Sequence, residues 1–178
     1  MSEVQSLAPL QITFELPSIQ FPPVSERAHG EVCMAILRRS GRFLLQTKQN
    51  YPGSVMRLPS GGIHRGEKVE AALLREIWEE TNLEVRVERF VARIGYKAGD
   101  ARSRFFTHLF LVREVSGVLQ SNDPSEKISD WQEALPGELP DYAEKLRRIT
   151  PSWRNWGVFR AAAMDILLEH TADLIRKG

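Results

Sequence analysis

The stretch "SGGIHRGEKVEAALLREIWEETNL", from Ser60 to Leu83, decides the fold of this chain of 178 residues. A glycine-rich turn leads into a short helical pattern, and four glutamates lie in or beside that helix. At about 100° per residue, Glu76, Glu79 and Glu80 fall within one arc of the helix surface. The spacing therefore predicts a helix that presents a cluster of carboxylates.

The same helix needs an apolar face to hold it on the protein. Ala71, Leu74 and Trp78 lie opposite the carboxylates, with Ile77 on their flank. Because an amphipathic helix buries its apolar stripe, we expect these side chains to be the anchored face.

The clustered carboxylates repel one another. Like-charged pairs three or four residues apart destabilise a helix by about 0.2–0.5 kcal/mol each. Within the helix only Arg75, which faces Glu79, can offset this repulsion. A divalent cation would remove it, and such oxygen clusters suit hard ions such as Mg²⁺ or Mn²⁺. The helix alone leaves open the alternative of a solvated, glutamate-rich surface.

The wider spacing resembles a known motif. Gly61, Glu67, the run 75–77, the pair 79–80 and Leu83 follow the Nudix box, G-x5-E-x7-R-E-U-x-E-E-x-G-U, where U is a bulky apolar residue. Asn82 replaces the last glycine of the box. That position ends the helix and is expected to need a positive φ, which asparagine accepts more readily than most residues.

Membership in the Nudix family would imply both a fold and an activity. The implied fold is of the α/β (α+β) class, a mixed β-sheet sandwiched between helices. The implied enzyme is a hydrolase that cleaves the pyrophosphate linkage of a nucleoside diphosphate joined to another moiety X, giving NMP and phospho-X.

The resemblance also assigns roles to residues by their positions in the box. Arg75 would hold Glu76 in place by a salt bridge, so that both belong to the catalytic set. The metal set for Mg²⁺ or Mn²⁺ would be Ser60, through its backbone carbonyl, Glu67, as support for the cluster, and Glu76, Glu79 and Glu80.

The general base and the substrate contacts are less closely fixed by the motif. Family members use either a box glutamate or one from a later loop, here 121–131. In that loop Glu126 is the candidate base with Asp123 behind it, and a plain loop carboxylate is the alternative. Arg57 and His64 are candidate substrate-binding residues, although both types of side chain are often simply solvated.

Several substrates stay open. "PSGGIHRGE", residues 59–67, is similar to the "P-x-G-G-I-x-x-G-E" of RNA 5′-pyrophosphohydrolases and related dinucleoside polyphosphate hydrolases. Trp153 and Trp156 could stack on a base, but we expect them to pack into the core. A non-catalytic nucleotide-binding regulator is the alternative of another class, and the complete set of box carboxylates argues against it. A family isomerase would need a cysteine and histidines around the site, whereas Cys33 lies in an apolar strand pattern.

Composition indicates an ordinary globular domain. The net charge is +1, with 42% apolar and 26% charged residues. These values give no sign of a nucleic-acid surface. No apolar run approaches the roughly 20 residues that span a bilayer. The N-terminus lacks a signal-peptide pattern and there is one cysteine, so we expect a cytoplasmic protein without a membrane partner.

The chain divides into two parts. Residues 1–28, rich in proline, form an arm with one strand pattern, "QITFEL". The arm is either a flexible leader or an edge strand that pairs with its own domain or with a second subunit in a homodimer. Residues 29–178 form the hydrolase domain and include two C-terminal helices, the first opening at Asp141 with Glu144 at capping-box spacing. A further short strand is predicted at "VMRLP", residues 55–59.

Overall fold

The computed structural model describes residues 8–25 and 29–176. The parts of the predicted arm at residues 1–7 and 26–28 lie outside the described residues. The strands are β1 Leu10–Glu15, β2 Glu31–Leu37, β3 Phe43–Lys48, β4 Ser60–Gly62, β5 Leu83–Ala98, β6 Ala101–Gly117 and β7 Ile128–Ala134. The helices are α1 Val69–Thr81, α2 Leu139–Arg147 and α3 Arg154–Arg176, and short 3₁₀ turns connect some of these elements.

The strands form one mixed sheet in the order β1-β5-β6-β2-β3-β7, with β4 paired to β2. β1 is parallel to β5 and β2 is parallel to β6, while the other neighbours are antiparallel. The predicted "QITFEL" strand is present as β1, at the edge of the sheet. It pairs with its own domain, and a homodimer formed through the arm stays a prediction.

The sheet has an apolar core on each face, as the α/β class requires. All of β2 is buried, and its side chains alternate between the two faces. Val32 and Ile36 pack in the cluster that contains α1, whereas Cys33 and Leu37 pack in the cluster that contains α2 and α3. The predicted mixed sheet between helices is therefore confirmed.

The predicted orientation of α1 is wrong. Leu74 and Trp78 are 53% and 57% exposed, and Ala71 is exposed as well. The helix instead buries Leu73 and Ile77, together with two of its glutamates. The contact with β2 and β4 therefore draws the acidic arc toward the sheet, and the apolar arc opposite it faces solvent.

Two local expectations also fail. α2 begins at Leu139 rather than Asp141, because Pro140 sits in its first turn, where the missing N–H is not needed. The segment 55–59 is not a strand and makes only one isolated bridge, between Arg57 and Gln46. Among the described helices, none is long and apolar enough to cross a membrane.

Candidate active site

The glycine-rich turn brings backbone and carboxylate unusually close together. β4 pairs with the start of β2, with Ser60 opposite Cys33 and Gly61 opposite Val32. A Cβ on Gly61 would lie 1.8 Å from Cδ of Glu76 and 1.9 Å from its Oε2. Only glycine leaves room for this carboxylate against the strand, which gives the first box position a steric reason.

Three carboxylates converge at this point. Glu76 and Glu80 come from α1, and Glu126 comes from the 3₁₀ turn before β7. One carboxylate oxygen from each lies within 4.8 Å of the others. Glu80 is 0% exposed, and Glu76 Oε2 is buried without a hydrogen-bond partner among the described residues. Buried carboxylate oxygens that lack donors are free to bind a cation.

Arg75 ties the box glutamates together. Its Nε and Nη2 both donate to the Glu67 carboxylate at 2.8 Å. Its Nη1 donates to Glu76 Oε1 at 2.7 Å and to Glu79 Oε2 at 3.0 Å. A fifth bond of 2.9 Å runs from Nη2 to the Gly62 carbonyl. The predicted ion pair between Arg75 and Glu76 is thus one part of a larger arrangement that fixes the turn to the helix.

A second cation reaches the cluster from the sheet. Lys48, the last residue of β3, places Nζ 3.1 Å from Glu80 Oε1 and donates to Glu126 Oε2. Gln46 Nε2 donates to the other oxygen of Glu80 at 3.0 Å. The predicted shortage of compensating charge for the glutamates therefore holds only within α1 itself. Lys48 and Gln46, which partner the glutamates, belong to β3, a strand distant in sequence.

Burial and neighbouring charges shift the carboxyl groups in different directions. Burial raises the pKa of Glu80 to about 7, against the opposing effect of Lys48. Burial also raises the pKa of Glu76, although Arg75 counteracts it. The hydrogen bonds from Arg75 lower the pKa of Glu67 to about 2. Burial acts to raise the pKa of Glu126, but Lys48 outweighs burial and holds this pKa below its ordinary value.

The other predicted site residues, Ser60, Arg57 and His64, differ in their burial and in their hydrogen bonds. Ser60 Oγ accepts hydrogen bonds from Arg57 and Arg160 at 3.0 and 2.9 Å. Arg57 is 2% exposed, and its Nε donates to Tyr51 Oη at 2.8 Å. The His64 side chain is exposed. Direct substrate contacts by Arg57 and His64, and a metal contact by the Ser60 carbonyl, stay predictions.

Two capping residues hold the segments that carry the carboxylates, Asn82 with the expected positive φ at the end of the box helix and Asp123 in the later loop. Asn82 has a φ of 56° and donates its backbone N–H to the Trp78 carbonyl at 3.0 Å, which closes the helix. Asp123 accepts a 2.9 Å hydrogen bond from the Ser125 backbone, which caps the turn that carries Glu126. Asp123 therefore supports the shape of this turn.

Sequence reasoning missed several residues around the cluster. A cavity of about 330 Å³ is lined by Lys48 and Glu126 and also by Trp153, Trp156 and Arg160. Trp156 is buried in the core, as expected, but both tryptophans also face this cavity. Lys48 and Arg160 come from distant segments and carry no local motif, so no sequence signal identifies them, whereas the sequence already offers Glu126 as a candidate base and the two tryptophans as residues that could stack on a base.

The contact of Lys48 with the carboxylates can be tested by measuring metal binding to the protein without substrate. Lys48→Met keeps much of the side-chain length but removes the ammonium group that lies between Glu80 and Glu126. We expect Mn²⁺ to bind roughly tenfold more tightly, because a cation no longer competes for the same oxygens. Free Mn²⁺ measured by electron paramagnetic resonance gives the affinity. Lys127→Met, an exposed lysine beside Glu126, controls for general charge and should change little; equal gains in both variants would contradict the prediction.

The comparison with protein families identifies the domain. The model described as "NUDIX domain" matches residues 27–153. This range covers the motif, the three carboxylates and most of the sheet. β1 and all of α3 lie outside it.

Comparison with individual proteins finds relatives that act on several substrates. NAD-capped RNA hydrolase NudC of Photorhabdus laumondii is 32% identical over 114 residues, 60% of this chain and 41% of that protein. ADP-ribose pyrophosphatase of Methanocaldococcus jannaschii is 26% identical over 122 residues, 68% of this chain and 70% of that protein. The matched part thus spans about two fifths of the NudC relative.

The solved structures agree on the fold. An Ap4A hydrolase from C. elegans, solved as a binary complex, has a TM-score of 0.55 at 18% identity and covers 82% of this chain and 96% of its own. At this identity the likeness concerns the arrangement of strands and helices alone.

Proposed function

The chain belongs to the NUDIX family, and on that premise we propose that it hydrolyses the pyrophosphate linkage of a nucleoside diphosphate joined to another moiety X. The products are NMP and phospho-X. The observation that carries this proposal is the convergence of Glu76, Glu80 and Glu126 within 4.8 Å at the end of the box helix. A surface that only bound nucleotides would not need three such mutually repelling groups.

The relatives support the substrate class. ADP-ribose and NAD both contain two phosphates joined in an anhydride between two organic groups, which is the arrangement of an NDP-X compound. The proteins named for them are the two relatives described above. Their shared substrate chemistry supports an NDP-X compound, while other relatives are named RNA pyrophosphohydrolases and support the alternative of RNA 5′ ends.

The residues present fit a divalent ion. The donor set consists of carboxylate oxygens, among which the buried Glu76 Oε2 has no hydrogen-bond partner in the described residues. Hard ions such as Mg²⁺ and Mn²⁺ prefer such ligands. Glu76, Glu80 and Glu126 would hold the ion, with Glu79 and the Ser60 carbonyl as further proposed ligands. When bound, the ion would neutralise charge on the diphosphate and lower the pKa of a water molecule.

The chain's own side chains then have separate tasks. Glu126, held ionised by Lys48, is the proposed base that accepts a proton from the attacking water. Arg75 positions Glu76 and, through Glu67, fixes the turn that faces it. A carboxylate displaced by even about 1 Å can cost on the order of a hundredfold in rate, which explains why one arginine is bonded to three glutamates.

A substrate panel tests the proposal. ADP-ribose, NDP-sugars, dinucleoside polyphosphates, NTPs and 5′-triphosphorylated RNA are incubated with Mg²⁺ or Mn²⁺, and products are separated by anion-exchange chromatography. We expect NMP to appear from at least one NDP-X compound at a kcat/KM at least about tenfold above the other classes. Preference for RNA or a dinucleoside polyphosphate would replace the NDP-X assignment. Nucleotide binding without any product would indicate a regulator and overturn the proposal.

A further inference from the structure

The cavity beside the carboxylates contains two chemically different groups of side chains. Lys48 and Glu126 belong to the carboxylate cluster. Tyr51, Trp153 and Trp156 form an aromatic group on the same cavity. A cavity of about 330 Å³ is at the lower end of the range for small-molecule sites. It therefore suits part of a nucleotide.

The aromatic side chains are arranged to leave ring surface available. The centroids of Trp153 and Trp156 lie 5.2 Å apart with an interplanar angle of 89°, and those of Tyr51 and Trp153 lie 6.2 Å apart at 67°. In an edge-to-face contact the edge of one ring meets a single face of the other, so each contact covers at most one ring face. Trp153 is only partly buried, so its indole can receive a flat ring.

The charges in this part of the cavity are already paired. Arg160 Nη1 donates to both oxygens of Glu31 at 2.8 and 2.9 Å, and Glu31 is almost fully buried. Arg57 is bonded to Tyr51 and Ser60. Among the described residues that line this part of the cavity, a phosphate would meet no unpaired cation, whereas a neutral ring leaves these ion pairs intact. Phosphates are better placed at the carboxylate cluster, where a bound divalent ion would supply positive charge, since Lys48 is itself paired with Glu80 and Glu126.

One polar atom in this group still lacks a partner. Arg160 Nε is buried and has no hydrogen bond to any described residue. A buried donor without an acceptor is costly, and a ligand with an acceptor on its edge would relieve that cost after a shift of Arg160 that opens this N–H to the cavity. Nucleobases combine a flat face with such acceptors.

Part of the cavity wall lies outside the matched family domain. Pro22 and Pro23 precede residues 27–153, and Trp156 and Arg160 follow them. The carboxylate cluster lies within the match. The wall is thus the part of the site in which this chain can differ from its relatives.

We propose that this cavity binds the nucleobase of the substrate, stacked on Trp153, with the diphosphate toward Lys48 and the carboxylates. The inference rests on the proposed function and deepens it, because it names the moiety that is recognised and the residues that recognise it. Residues from the arm and from α3 then determine which nucleotides are accepted.

Binding of the reaction product, without any turnover, tests this assignment. Isothermal titration calorimetry with the full chain and Mg²⁺ compares AMP, GMP, CMP and UMP with ribose 5-phosphate, which has no base. We expect at least one nucleotide to bind at least about tenfold more tightly than ribose 5-phosphate. Trp153→Ala should weaken that nucleotide by about tenfold to a hundredfold and leave ribose 5-phosphate unchanged.

Matched variants keep the test decisive. Trp78→Ala removes a tryptophan from the exposed face of α1, away from the cavity, and should bind like the parent. Trp153→Phe keeps an aromatic face and should retain affinity within a few-fold. Equal binding of ribose 5-phosphate and the nucleotides, or equal losses for both in Trp153→Ala, would overturn the base site. Loss of hydrolysis across the substrate panel with base-dependent binding intact would instead overturn the proposed reaction.

Discussion

Glu80→Gln is expected to lower kcat by on the order of a thousandfold or more while making the metal-free protein more stable. The loss of activity follows from the position of Glu80 among the three convergent carboxylates, since an amide oxygen carries no charge to hold a divalent ion. Glutamine has the same shape as glutamate, so the packing of this side chain against Gln46 is preserved. Steady-state hydrolysis of the best substrate from the panel measures the effect.

The gain in stability follows from the pKa of the same group. Burial raises the Glu80 pKa from 4.5 to about 7 in the folded protein. The folded state therefore holds a proton between these values that the unfolded chain has released, and stability falls as pH rises from 4.5 toward 7. Above pH 7 the full penalty is present. Glutamine avoids it, but it also removes the charge that faces Lys48, so we expect a net gain of about 1 kcal/mol at pH 8.

Urea denaturation in EDTA at pH 8 and pH 5 checks this pH dependence. The difference between variant and parent should be present at pH 8 and shrink at pH 5. Glu79→Gln is the matched control, because that carboxylate is partly exposed and is bonded to Arg75. It should lower activity without the gain in stability. Parental turnover by Glu80→Gln would show that the cluster is not the reaction centre.

The sequence predicted the local geometry of the motif well, because the motif is local. Gly61, Arg75 and the box glutamates lie within 23 residues of chain, and their spacing defines a turn followed by a helix. The left-handed Asn82 at the helix end follows from the same spacing. The strand at residues 31–37 was predictable because its buried apolar run is continuous.

The orientation of α1 could not be read from periodicity alone. Its surface has an acidic arc and an apolar arc, and the usual rule buries the apolar one. Here Glu80 and Glu76 are buried because Lys48, Gln46 and Arg75 supply partners for them. Leu74 and Trp78 are left in solvent. The rule fails where buried carboxylates are compensated by groups from elsewhere in the fold.

The remaining site residues depend on long-range pairing. Lys48 reaches Glu126 because β3 and β7 are neighbours, with Lys48 opposite Ile128. Arg160 meets Glu31 across 129 positions of sequence. No spacing rule in the sequence relates such pairs. The proposed base cavity can therefore be recognised only in the folded structure, where Arg160 of α3 meets Glu31 of β2.

Gly61→Ala is expected to reduce kcat by about a hundredfold or more, although alanine adds only one methyl group. That methyl group would lie 1.8 Å from Cδ and 2.4 Å from Oε1 of Glu76. Such contacts are impossible, so the carboxylate must leave its place. Its 2.7 Å bond to Arg75 would be lost with it, and Mn²⁺ binding should weaken by at least about tenfold, a loss comparable to that of a metal-site supporting group.

The effect expected at Gly61 is steric, so its matched control is a glycine beside which an added methyl group has room. A methyl group added at Gly137 would meet no atom of the described residues within 4 Å, and Gly137 has no positive φ. Gly137→Ala should therefore match the parent in activity and Mn²⁺ affinity. Circular dichroism should show that Gly61→Ala remains folded, because the displaced group is the flexible end of a side chain. If Gly61→Ala keeps both kcat and Mn²⁺ affinity, the Glu76 carboxylate does not act from its position against β4. The carboxylate centre would then not include Glu76, the residue for which Gly61 leaves room.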